Sequence, residues 1–151
     1  MPALFTFGRI LFAILFIYLG ATKLFDIAAT ADSIATKLTI PDALGPYVTQ
    51  IETATSMTMP KLLAIAAGVF EILAGLMIAL NFGARFWSIL LILYLAAATY
   101  YLYDFWNQAQ PDNNKALVVD ALKNLSLIGA LFMIAGHGRG PRPIEPAYGD
   151  A

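Results

Sequence analysis

Four stretches of this chain are each about 20 residues long and almost wholly apolar: Leu4–Leu24, Lys61–Leu80, Ala84–Tyr103 and Lys115–Ala135. A helix rises 1.5 Å per residue, so about 20 residues cross the roughly 30 Å hydrocarbon layer of a bilayer. Inside that layer, backbone polar groups must bond within their own segment, and a helix does this. The four stretches therefore predict an all-α integral membrane four-helix bundle. Of the 151 residues, 60% are hydrophobic and only 13% charged. A soluble fold of this length lacks the interior to bury so much apolar surface.

The first stretch could be mistaken for a secretory signal peptide, with Arg9 as its basic region. Leu19-Gly20-Ala21-Thr22 runs directly into Lys23 and offers a poor cleavage site, so a retained helix is expected. Arg9 lies near the start of this span and can snorkel towards headgroups. Pro60 suits the start of the second span. Between the first two spans, Ile27, Ala31, Ile34 and Leu38 recur at steps of four, three and four, which predicts one apolar helical face. Pro41 and Gly45-Pro46 interrupt the pattern, so residues 25–60 are expected to form a short amphipathic helix plus a loop at the membrane interface. Asn81-Phe82-Gly83 predicts a tight turn, and the whole chain, 1–151, reads as one transmembrane domain.

Charge and composition exclude several functions. The net charge of −1 gives no basic footprint for nucleic acid. The chain has no cysteine and one histidine, His137. Thiolate catalysis, iron–sulfur ligation, cysteine-based zinc sites and haem held between two of its own imidazoles are therefore excluded within this chain. No metal site is expected, nor any covalently bound cofactor. Any redox centre near the chain belongs to a partner or a diffusible carrier.

Both termini are expected on one face of the bilayer. Arg9, Arg85, Arg139 and Arg142 fall on that face, and Lys23, Lys37, Lys61, Lys115 and Lys123 fall towards the other. Basic residues alone do not choose an orientation. Asp26, Asp32, Asp42, Glu52, Asp104, Asp112 and Asp120 lie on the lysine side, which tips the expectation to cytoplasmic termini.

Ionisable groups at membrane depth cost several kcal/mol unless paired or functional. Glu71 is ten residues into the second span and Lys123 eight into the fourth, about 15 and 12 Å from the same surface. This depth predicts that Glu71 and Lys123 face each other or share a partner. Ala64, Gly68, Glu71 and Gly75 form one stripe of small residues around the carboxylate, so Glu71 should face protein. Asp120, Lys123, Asn124 and Leu127 share a face of the fourth span. Tyr94, Tyr100, Tyr101, Tyr103 and Asp104 on the third, with Tyr18 and Lys23 on the first, bring further polar groups to that half of the bundle. Two readings remain open. One is a structural ion pair that fixes helix register. The other is a pocket, open to the lysine side, for a lipid headgroup, a quinone-like ring or a proton path. Its candidate residues are Glu71, Lys123, Asn124, Tyr103, Asp104 and Lys23. The aromatic residues at both ends of the third span, Phe86 and Trp87 and then Tyr100 to Trp106, read first as an interfacial belt.

These residues resemble the DoxX-like family of small membrane proteins. The resemblance runs from Arg9 to about Pro141. It rests on Gly20-Ala21-Thr22-Lys23, Glu71-Ile72-Leu73-Ala74-Gly75, Gly83-Ala84-Arg85, Asp104-Phe105-Trp106 and Lys123-Asn124 with Gly129. Family members often carry histidine before the Phe-Trp pair, where this chain has Tyr103 and Asp104. The resemblance implies a four-helix protein of the bacterial cytoplasmic membrane. It also implies an accessory or anchoring subunit of an oxidoreductase or respiratory-type complex, with no redox centre of its own. Membrane lipids and other membrane subunits are then the expected partners, and quinone or lipid the expected ligand. A stand-alone transporter or a lipid- or quinone-binding protein is the alternative.

Overall fold

A computed structural model describes residues 2–102 and 111–137, with side chains described over 3–102 and 115–137. The described residues form, in order, α1 (Pro2–Phe25), α2 (Ile27–Lys37), α3 (Gly45–Thr55), α4 (Met59–Ala79), α5 (Ala84–Leu102) and α6 (Pro111–Gly136). Among the described residues, four helical segments are long and apolar enough to cross a membrane: Ala3–Phe25, Met59–Ala79, Ala84–Leu102 and Lys115–Gly136. They fall where the apolar runs predict them. The chain is an all-α, multi-pass membrane bundle.

The segment between the first two spans holds more helix than the sequence suggests. As expected, α2 presents Ile27, Ala31, Ile34 and Leu38 inwards, with Ala31 buried and the other three half-buried. It packs mainly on α4. Asp26 separates it from α1 and caps it, its carboxylate accepting from the Ala29 N–H at 3.1 Å. The expected loop after Pro41 is instead a 3-10 turn, Asp42–Leu44, followed by α3. Gly45-Pro46 reads as a breaker, yet proline in a first helical turn loses no hydrogen bond and has its φ already set. Ser56, left-handed at φ 56°, then reverses the chain. Glu52 reaches across to accept from the Met59 N–H at 2.6 Å, placing a carboxylate on the positive end of α4. Asn81 at φ 60° and Gly83 at φ 59° make the tight turn between α4 and α5.

The most extensive helix pairing is α1 on α4, and glycine sets its distance. A Cβ on Gly20 would lie 2.5 Å from the Gly68 carbonyl oxygen, and one on Gly68 would lie 2.9 Å from that of Gly20. Two turns further along α4, a Cβ on Gly75 would lie 3.0 Å from the Ala13 carbonyl oxygen. The pairing of 20 with 68 and of 13 with 75 makes the two helices antiparallel. On its other side α4 meets α5, and α6 packs on α5. Phe16, Ile78, Leu91 and Leu131, one from each spanning helix, are fully buried where the four converge.

Ser88 shares that core at 0% exposure, and its hydroxyl has no partner among the described residues. An unsatisfied buried hydroxyl opposes folding, so Ser88→Ala should leave stability unchanged or raise it by about 1 kcal/mol. Thermal unfolding in detergent measures this. A loss of about 1 kcal/mol or more would mean that the hydroxyl is bonded.

Candidate functional site

Glu71 is buried on α4 as its stripe of small neighbours predicts, and Ala64, Gly68, Ala74 and Gly75 are buried with it. Its partner, however, is Lys23. The Lys23 Nζ donates to Glu71 Oε2 at 2.6 Å, with the side chains 26% and 4% exposed. The expected Glu71–Lys123 contact is not formed. Lys123 donates to Asp120 one turn earlier on α6, at 2.9 Å, and its side chain is 68% exposed.

Helix packing explains the difference. Glu71 lies on the α4 face that meets α1, whereas α6 packs chiefly on α5. Side chains on a helix tilt towards its N-terminus. Because α1 and α4 are antiparallel, Lys23 tilts back towards the level of Gly20 while Glu71 tilts forward to the same level. A Cβ on Gly20 would lie 3.0 Å from the Glu71 Cβ, so the carboxylate stands at that crossing. Depth alone does not choose between two lysines; the glycine crossing does.

The other expected site residues divide. Asn124 turns inwards, and its amide donates to the Thr99 hydroxyl of α5 at 2.9 Å. That tie joins α5 to α6 and leaves Asn124 apart from Glu71. Tyr103 and Asp104 lie outside the described residues, as do Phe105 and Trp106 of the aromatic belt.

Beside the ion pair is a pocket of about 540 Å³, bounded by α2, α4, α5 and the end of α1. Leu38, Leu63, Ala67 and Ala98 supply apolar wall. Lys23, Asp26, Thr30, Ser33, Tyr94 and Tyr101 bring polar groups to the same space. The volume matches the clefts that hold small organic ligands, which combine apolar lining with a few placed polar groups. Lys23 spans two roles here, since it bonds Glu71 and lines the pocket. Sequence reasoning names Lys23, Glu71 and Tyr101 for this half of the bundle but misses Thr30 and Ser33. They stand beside the apolar face of α2, and only the docking of α2 against α4 and α5 turns them to the pocket.

At the opposite end of the bundle, Arg9 and Ser88 bring polar atoms among mostly apolar side chains. The Arg9 Nε is buried and has no hydrogen-bond partner among the described residues. His137 stacks on Phe5 with centroids 4.0 Å apart and the rings 20° from parallel. No cluster of side chains suited to a metal ion occurs among the described residues.

Four apolar helices, with a Lys–Glu pair at the α1–α4 crossing and a pocket closed on one side by α2, define a small polytopic membrane protein with a polar site towards one end of the bundle. The chain belongs to the DoxX family, whose model matches residues 4–104. That range takes in Lys23, Glu71 and the walls of the pocket, whereas Lys123, Asn124 and Gly129 lie beyond it. No curated protein and no solved structure gives a significant match.

Proposed function

We propose that this chain is an accessory membrane subunit that holds a lipid-soluble ligand, a quinone-type ring or a lipid headgroup, for a catalytic partner of oxidoreductase or respiratory type. The observation that carries the reading is the pocket of about 540 Å³ whose wall includes Lys23, itself bonded to buried Glu71. A ring carbonyl or a phosphate could accept from Lys23 or Tyr101 while the apolar part lies on Leu38, Leu63 and Ala98. With no cysteine and one histidine, the chain itself brings few groups for redox chemistry, and this supports assigning turnover to a partner. The reading places the protein in a bacterial cytoplasmic membrane with both termini in the cytoplasm. The absence of native cysteine makes this orientation testable by labelling a single cysteine introduced at Ala151.

The test is purification at native level in mild detergent, with mass spectrometry of every co-purifying protein and lipid-soluble molecule. Stoichiometric recovery with an oxidoreductase, and a bound quinone or lipid, is the expected result. Ala98→Phe should fill the pocket and reduce the bound ligand about tenfold while leaving the partner attached. A protein that is isolated alone and is functionally complete would sink the proposal.

A second reading follows from the unequal exposure of the ion pair. Glu71 is sealed and Lys23 is partly open beside the pocket, an arrangement also suited to a small transporter with a charge-compensated site. Substrate flux in proteoliposomes that is lost in Glu71→Gln would favour that reading over the first.

A further inference from the structure

We infer that the groove between α1 and α6, at the end of the bundle opposite the ion pair, is a binding site for an anionic phospholipid. The groove measures about 710 Å³, and apolar side chains from both helices, among them Leu4, Phe12, Met133 and Ile134, line most of it. Arg9 is its cation. Among the described residues, Arg9 forms no ion pair, its Nε is buried without an acceptor, and no carboxylate lines the groove. The half-buried guanidinium stays charged and carries five donors, and an anion beside it offsets the charge that no carboxylate in the groove balances. Phosphate suits it through parallel charge-assisted hydrogen bonds.

Position selects a lipid as the source of that anion. Arg9 lies seven residues after Pro2, about 10 Å along the helix, and its side chain tilts towards the α1 N-terminus. The guanidinium therefore rises towards headgroup level while the apolar groove runs beside it, matching a phosphate above acyl chains. The Phe5–His137 stack supplies a flat wall at the headgroup end. Gly8 lines the groove, and a Cβ there would meet nothing within 4 Å. That open space is room for a chain methylene.

The experiment is native mass spectrometry of the full chain after exchange into detergent containing equimolar phosphatidylglycerol and phosphatidylcholine. Both lipids carry a phosphate, but choline neutralises its own, so the wild type should retain phosphatidylglycerol about tenfold over phosphatidylcholine if the Arg9 charge seeks a net anion. Arg9→Gln should bring the two lipids to parity, and Arg9→Lys should keep part of the preference. Gly8→Leu fills the groove without touching Arg9, so it should reduce retention of both lipids at unchanged melting temperature. Lys115→Gln, at the other end of the bundle, should retain the wild-type pattern. Parity in the wild type, or undiminished retention in Gly8→Leu, would overturn the assignment. So would a lipid-free dimer that Gly8→Leu dissociates, because the groove would then be covered by a second copy.

Discussion

Lys23→Met destabilises the folded bundle by about 3–5 kcal/mol, because it leaves the Glu71 carboxylate buried without its counter-charge. Glu71→Leu alone costs less, since the stranded Lys23 side chain is 26% exposed and can turn towards the pocket mouth. The double variant Lys23→Met/Glu71→Leu recovers most of the loss, as replacement of a buried ion pair by apolar side chains of similar volume is often neutral. The coupling energy from this cycle, read from unfolding in mixed detergent, should exceed about 1 kcal/mol. Lys123→Met is the matched control. Its ion pair with Asp120 is an exposed contact within one helix, so the cost should be about 0.5 kcal/mol. Strong coupling of Glu71 to Lys123 instead of Lys23 would mean that α4 faces α6.

Gly20→Ala and Gly68→Ala each destabilise by about 1–3 kcal/mol, and a leucine at either position prevents the native crossing of α1 on α4. The obstruction is backbone: an added methyl group would meet the carbonyl oxygen of the opposing glycine, which has no rotamer by which to yield. Separation of the helices at this point also moves Lys23 away from Glu71. Gly20→Ala should therefore weaken the Lys23–Glu71 coupling as well as total stability. Gly129→Ala, on an open surface of α6 where a Cβ meets nothing within 4 Å, should be neutral or stabilising by up to about 1 kcal/mol. Thermal unfolding of the three alanine variants in one detergent checks the contrast. Equal effects at the three glycines would contradict the close crossing.

Residue by residue, the sequence announces the fold more fully than the site. Apolar runs of bilayer length define the spanning helices, and period-3.6 spacing finds the buried face of α2. Helix α3 is obscured because Gly45-Pro46 serves equally to end one helix and to begin another. At the site, the small-residue stripe places Glu71 against protein correctly, but depth assigns it to the wrong lysine. The clue to Lys23 is present in the chain. Gly20 precedes Lys23 by three residues as Gly68 precedes Glu71, and two glycines that touch bring both charged groups to one crossing. Its use requires knowing that α1, and not α6, packs on that face of α4, and this adjacency comes from packing the whole chain. The pocket is legible only in outline. Tyr94 and Tyr101 are visible as polar residues on the third span, but the cavity exists because α2 folds back over α4 and α5.

Lys23, partly open, and Glu71, buried, form an ion pair at the wall of the pocket. Cross-linking of paired cysteines with a bifunctional thiol reagent tests it most directly, and the native absence of cysteine leaves no competing thiol. The Lys23–Glu71 contact is made by the tips of two long side chains, so cysteines at the two positions are too far apart for a direct disulfide. A bifunctional thiol reagent of about the length of those side chains should bridge them efficiently in native membranes. Cysteines at Lys123 and Glu71 should not cross-link. Efficient cross-linking of 123 to 71, with none between 23 and 71, would overturn the Lys23–Glu71 pairing.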